Sequence, residues 1–357
     1  MSDSFLTMSI SARRLLAIPL RAASFAELGF APCDAEVRGR LERVLETFIH
    51  GFNLCLAIGD PGELAAALRD RFDAHHVGFA FEGAGMYYAL LDLLTPWRPS
   101  RLRAFLDGPG GDHDVIAAVG AGFAIARLPW GRRLWPWYSG RLDPLIAWCV
   151  PEGYGFHEGM VHADRYVSGR AEPPAVLPGS ARQLFDSGLG RSLWWSQCAS
   201  PQRIRQAIDG FPARRRPQMW CGIGVAASYA GGAGDEALGE LRELAGPYQA
   251  DLLSGVPFAT RMRQKGGNPS PVTDRACELL LSRTPDDASD WIVATLQRVL
   301  ADESSEREVR LRDNYRLVRQ RLVEDLRGSA PLLSESSANL QDGSAAPAAC
   351  WRRKEPS

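Results

Sequence analysis

The segment Tyr154-Gly-Phe-His-Glu-Gly-Met-Val-His-Ala-Asp-Arg-Tyr166 sets two histidines, a glutamate, an aspartate and an arginine within nine residues. Imidazole beside carboxylate is the raw material of general acid–base catalysis and also of metal ligation. His157-Glu158 followed by His162 resembles the H-E-x-x-H metalloprotease pattern but is one residue too long. On an α-helix, residues i and i+5 point about 140° apart, so the two imidazoles are not expected to chelate one ion. No metal is assigned on this reading. Glu158, His162 and Arg165 fall on one helix face, and His157 and Asp164 on another. Glu158 with His162 could give two ligands to a metal completed from another helix, or act as an acid–base pair. They could equally belong to a hydrogen-bonded ion network between packed helices, the commoner arrangement.

Glu82 is the second candidate. Phe81-Glu-Gly83 matches His157-Glu-Gly159, which would make Glu82 and Glu158 equivalent, but the glycine register contradicts this. Glu82 lies three residues before Gly85, whereas Glu158 lies three after Gly155. The plainer alternative for Glu82 is a carboxylate at a helix N-terminus, stabilised by the helix dipole. An enzymatic reading has Glu82, His157, Glu158 and His162 converging on one cavity. Tyr87, Tyr154, Asp164 and Arg165 are the corresponding candidates for substrate contact.

Other motifs offer less. Cys149 and Cys221 each follow a tryptophan and have no nearby histidine to activate them, so they read as core thiols. Ten tryptophans could line a groove for a long apolar ligand, though helix packing explains them as well. Arg214-Arg215-Arg216 could grip a phosphate or an acidic partner, or form a solvated loop. No phosphate-binding loop, dinucleotide fingerprint or G-x-S-x-G is present, so no cofactor is implied.

The elements that must position these groups are helices. Gly83/Gly85 open into Met86–Leu94, a run apolar almost all round, which reads as a buried helix. Similar pairs stand at Gly120/Gly122, Gly153/Gly155, Gly188/Gly190 and Gly222/Gly224, at steps of 37, 33, 35 and 34 residues. With 35 glycines in 357 residues, isolated pairs mean little, and two more fall off the spacing at Gly108/Gly110 and Gly232/Gly234. The spacing, together with the helical stretch after each pair, predicts helical hairpins at a period near 34, stacked as a solenoid-like or compact array. In such an array the glycines would let helix backbones approach closely. Asp34 reads as the N-cap of a helix to about Ile58, and no stretch reads as a strand. Residues 1–33 form an irregular lead-in and 34–301 an all-α domain. Residues 302–328 form a charged helix whose apolar face could cap the array, and 329–357 a disordered tail.

Lys and Arg number 41 against 42 Asp and Glu, a formal net charge of −1 that gives a nucleic-acid partner no support. The longest apolar run, Val115–Ala126, is twelve residues, too short to span a bilayer. Six apolar residues after Arg13-Arg14 do not make a signal-peptide core. Seven cysteines without a C-x-x-C pair predict reduced thiols and a cytoplasmic protein.

Several stretches together resemble the UnbL-type family, a bacterial family of unknown function associated with enediyne polyketide biosynthesis. They are Arg13-Arg-Leu-Leu with Phe25-Ala-Glu-Leu-Gly-Phe30, Gly78-Phe-Ala-Phe-Glu-Gly-Ala-Gly-Met86, Gly153-Tyr-Gly-Phe-His-Glu-Gly159, Gly188-Leu-Gly-Arg-Ser-Leu-Trp194 and Gly222-Ile-Gly-Val-Ala-Ala-Ser-Tyr-Ala-Gly-Gly232. The resemblance covers about residues 13–285 and leaves the extension from about 303 unexplained. It implies an accessory protein that acts on or holds an apolar polyene or polyketide intermediate, or a non-catalytic scaffold for the polyketide synthase machinery. It supplies no catalytic residues.

Overall fold

The computed structural model describes residues 16–302, 306–307 and 313–328. The outermost lead-in, most of 303–312 and the tail 329–357 lie outside the described residues. Within them there are seventeen α-helices and no strand. The first nine are α1 (Phe25–Leu28), α2 (Ala35–Ala57), α3 (Pro61–Arg71), α4 (Val77–Leu94), α5 (Arg101–Leu106), α6 (Asp114–Arg127), α7 (Gly131–Ser139), α8 (Cys149–Val161) and α9 (Gly179–Ser196). They are succeeded by α10 (Pro201–Asp209), α11 (Arg216–Tyr229), α12 (Asp235–Leu244), α13 (Gln249–Ser254), α14 (Val256–Gly266), α15 (Pro271–Ala276), α16 (Pro285–Ala301) and α17 (Asn314–Gly328).

Local chemistry sets many of these boundaries. The Asp34 carboxylate accepts from the backbone N–H groups of Glu36 and Val37 at 2.8 and 3.1 Å, which starts α2. Proline in the first turn opens α3, α10, α15 and α16, where its missing N–H costs nothing. Helices α13 and α14 are divided at Gly255.

Each of the five glycine pairs lies inside a helix, and its two members face different neighbours. A Cβ on Gly120 of α6 would stand 2.0 Å from the Glu82 carbonyl oxygen in α4, and one on Gly122 would stand 2.3 Å from that of Val150 in α8. Gly153 likewise meets Val119 O at 1.9 Å and Gly155 meets Phe185 O at 2.0 Å. The contacts are reciprocal, since Gly85 meets Ala117 O where Gly120 meets Glu82 O. Residue order reverses across the contact, as it must where two helices cross antiparallel. The same reciprocity links α2 to α4 through Gly51 and Gly83, and α11 to Gly255 through Gly224. Helices α2, α4, α6, α8, α9 and α11 thus pack one on the next, backbone against backbone. The intervals are not uniform. A short helix separates most neighbours, but between α8 and α9 there is only a π-helical turn, Asp164–Ser168, and a loop through Pro173-Pro174, where proline blocks a further helix.

The row folds back on itself. Arg263 of α14 donates to the carbonyls of Ala74, His75 and Tyr229 at 3.0, 2.8 and 2.6 Å, joining the start of α4 to the end of α11. Trp195 Nε1 donates to Leu41 O at 3.3 Å, joining α9 to α2. Helix α17 is built into the interior: Tyr315 stacks on Trp148 at 4.4 Å, and buried Arg319 pairs with Asp251 of α13.

One expectation about cysteine fails. Cys33 and Cys198 are joined by a disulfide across 165 residues, with Cα atoms 6.1 Å apart. Such a pair leaves no local spacing signal. Cys55, Cys149, Cys221 and Cys277 are free and buried.

Because Gly120 meets backbone rather than a flexible side chain, Gly120→Ala must push α4 and α6 apart. Overpacking costs about 1–3 kcal/mol or more. Gly39, in α2, has nothing within 4 Å of its missing Cβ, so Gly39→Ala should stabilise by about 0.5–1 kcal/mol through helix propensity. Chemical denaturation of both variants checks the contrast, and equal effects at the two sites would refute the close-contact account.

Candidate functional site

A cavity of about 270 Å³ lies between the row of helices and the N-terminal segment. Its floor is Leu45, Phe48 and Ile49 of α2, Met86 of α4, Phe123 and Arg127 of α6, and His157, Met160 and Val161 of α8. Its roof is Ile18, Ala22, Ala23, Glu27 and Leu28. The roof is fastened to α2: Asn53 exchanges two hydrogen bonds with the Ile18 backbone at 2.9 and 2.8 Å, and Glu42 accepts from Phe25 N at 2.7 Å. The lining is apolar except for Glu27, Arg127 and His157, which matches the make-up of small-molecule sites. No tryptophan lines this cavity.

His157 is where the cavity meets the polar cluster expected from the sequence. It is 4% exposed, and its ring meets Phe123 edge-on at 5.5 Å. Its Nδ1 stands 3.4 Å from Glu158 Oε1, a contact without hydrogen-bond alignment, so this buried nitrogen makes no hydrogen bond. The other carboxylate oxygen, Glu158 Oε2, lies 3.2 Å from His162 Nδ1. Burial pulls the His157 pKa down, and the neighbouring Glu158 carboxylate pulls it back up.

His157 and His162 both stand near the Glu158 carboxylate, although i, i+5 spacing on a continuous helix would point them about 140° apart. One ligand atom from each of His157, Glu158 and His162 lies within 4.8 Å of the other two. Helix α8 does not run to Tyr166 as expected but ends at Val161. His162 takes φ −120° and ψ 43°, so helical rotation does not apply to it. The Glu158 carboxylate then bridges the two imidazoles, whose ring centres are 6.1 Å apart.

The remaining candidates lie elsewhere. Tyr154 packs against Phe185 at 5.4 Å and Tyr87 against Phe52 at 5.8 Å, and neither lines the cavity. Asp164 and Arg165 are exposed in the π-helical turn, with Arg165 over the Tyr166 ring at 5.1 Å. In the arginine run, Arg215 is buried, gripping Asp186 at 2.9 and 2.6 Å, while Arg214 meets Glu172 at 2.5 Å.

Glu82 does not join the histidines. It lies in the second turn of α4, too deep for an N-terminal carboxylate, and belongs to an interior cluster with Glu152 and Arg191. Arg191 Nη1 donates to Glu152 Oε2 at 2.9 Å, and all three side chains are 2% exposed. Glu82 Oε1 is buried without a hydrogen bond. Burial raises its pKa to about 8, with Arg191 lowering and Glu152 raising it. One guanidinium faces two carboxylates, and Glu152 holds the ion pair, so Glu82 carries the proton. The adjoining void is only about 10 Å³, too small for a substrate. Glu152 was legible in principle, because it precedes Gly155 by the three residues that separate Glu82 from Gly85.

A family model described as protein of unknown function (DUF1702) matches residues 7–326. The chain belongs to the DUF1702 family. The DUF1702 match takes in nearly all of α17, beyond the stretch near residue 285 where the motif resemblance ends. No curated protein and no solved structure matches. No helix among the described residues is long and apolar enough to cross a membrane.

Glu82 makes stability depend on pH with a definite sign. A carboxyl whose folded pKa lies above its unfolded value of 4.5 stabilises below that value and loses its contribution as pH rises toward about 8. Glu82→Gln cannot ionise, so relative to wild type it should gain on the order of a few kcal/mol between about pH 5 and pH 8. Denaturant midpoints at the two pH values measure this. A variant whose advantage stays constant would show that Glu82 is not protonated in the fold.

Proposed function

We propose that the cavity under residues 18–28 holds an elongated apolar small molecule, of the polyene or polyketide kind implied by the UnbL-type resemblance. The observation that carries this reading is the lining, a set of mostly aliphatic and aromatic side chains with one imidazole, one guanidinium and one carboxylate among them. An apolar chain gains roughly 25 cal/mol for each Å² it removes from water in such a place. The few polar groups would fix its orientation.

His157 gives the site a chemical handle. A buried, largely neutral imidazole against the occupant, with Glu158 beside it, suits proton transfer to or from a conjugated chain. This supports an enzymatic role over passive storage. Glu82, sealed in the interior cluster, serves the fold in this reading.

Binding is testable with cis-parinaric acid, a conjugated polyene whose fluorescence rises in apolar surroundings. Wild type should bind it saturably. Ala22→Trp, at an exposed roof position, and Met160→Trp, on the floor, should each weaken binding at least about tenfold, since an indole fills much of the space. Circular dichroism confirms that the variants are folded. Saturable binding left unchanged by both substitutions would put the ligand elsewhere and sink the proposal.

A further inference from the structure

We infer that His157, Glu158 and His162 form a binding site for one divalent first-row transition metal ion, at the edge of the apolar cavity. Two imidazoles and one carboxylate are a ligand set suited to Zn²⁺ or Fe²⁺. Their donor atoms already lie within 4.8 Å of one another. In a tetrahedral site with metal–ligand distances near 2.1 Å, donors stand roughly 3.4 Å apart, so only a small contraction is needed. The exposed member is His162, whose side chain is about half accessible to solvent, while His157 and Glu158 are held in the packed end of α8.

A second observation points the same way. His157 Nδ1 is buried and has no hydrogen-bond partner, although a carboxylate oxygen stands 3.4 Å away. A buried ring nitrogen without a partner is costly in a pure hydrogen-bond network. Coordination would satisfy it, with the Glu158 carboxylate supplying negative charge that neutral imidazoles lack. Arg127 opposes the ion, since its positive charge is felt at His157. Because α8 ends at Val161, His162 sits on the solvent side, which gives an ion a route in and leaves room for a water as further ligand. The metal site does not depend on what occupies the apolar cavity.

The experiment uses tag-free, chelator-stripped full-length protein titrated with Zn²⁺ by calorimetry, with Co²⁺ as a spectroscopic substitute and Fe²⁺ under anaerobic conditions. One equivalent should bind, and Co²⁺ should give visible d–d absorption typical of low coordination number. His162→Gln, a change at a half-exposed position that leaves the core intact, should weaken binding at least about 100-fold, as loss of a direct ligand exceeds loss of an outer-shell partner. His76→Gln is the control: His76 and Asp73 form a separate surface pair at 2.7 Å, and its loss should change nothing. Absence of stoichiometric binding overturns the inference, as does binding that survives His162→Gln or disappears with His76→Gln. Parinaric acid binding measured on the same His162→Gln protein keeps the two questions apart, since the cavity should still fill when the metal site is gone.

Discussion

The architecture depends on helix backbones touching with no side chain between them. At Gly83, Gly85, Gly120, Gly122, Gly153, Gly155, Gly188, Gly190, Gly222 and Gly224 a methyl group would lie within 1.8–2.3 Å of a neighbouring helix's backbone. Residues two apart on a helix project about 200° from one another, so a G-x-G pair frees opposite faces, and each helix is clasped from both sides. The penalty in helix propensity, about 1 kcal/mol per glycine, is offset by close dispersion contact over the length of the crossing. The rest of the interior depends on that spacing: the cluster of Glu82, Glu152 and Arg191 and the cavity beside His157 are both built on these helices.

The all-helical class, the caps and the glycine-bearing helices were legible because they depend on local chemistry. Asp34 announces α2, and Pro96 stands just past the end of α4. What was not legible depends on long-range geometry. The Cys33–Cys198 bond joins segments with no shared pattern. The burial of Arg215 and Arg191 is invisible in a sequence that shows only an arginine run and a G-x-G-R. The convergence of His157 with His162 was missed for a subtler reason. Helical periodicity is reliable only inside a helix, and the cluster straddles the residue where α8 stops.

The two polar clusters contrast in kind. The interior one is nearly closed, with one strong ion pair and a carboxyl that stays protonated because burial outweighs its distance-limited attraction to Arg191. Such a group is enclosed by packing, with no substrate-sized space beside it. The cluster on α8 lies at a border, with one imidazole against an apolar cavity and the other reaching solvent. Borders of this sort let a charged or coordinating centre work on an apolar molecule without either being forced into the other's medium.

The glycine-clasped row also constrains how the chain comes to exist. A helix bearing two mid-sequence glycines is a poor helix alone, and here one neighbour is supplied earlier in the chain and the other later. During synthesis, each newly made helix therefore finds one flank ready and the other bare, with exposed carbonyls where the next glycines will sit. Closure waits for the last segments, since α17 brings Tyr315 and Arg319 into the interior only at the end of the described chain. The molecule is one that a ribosome must finish before it can be sealed.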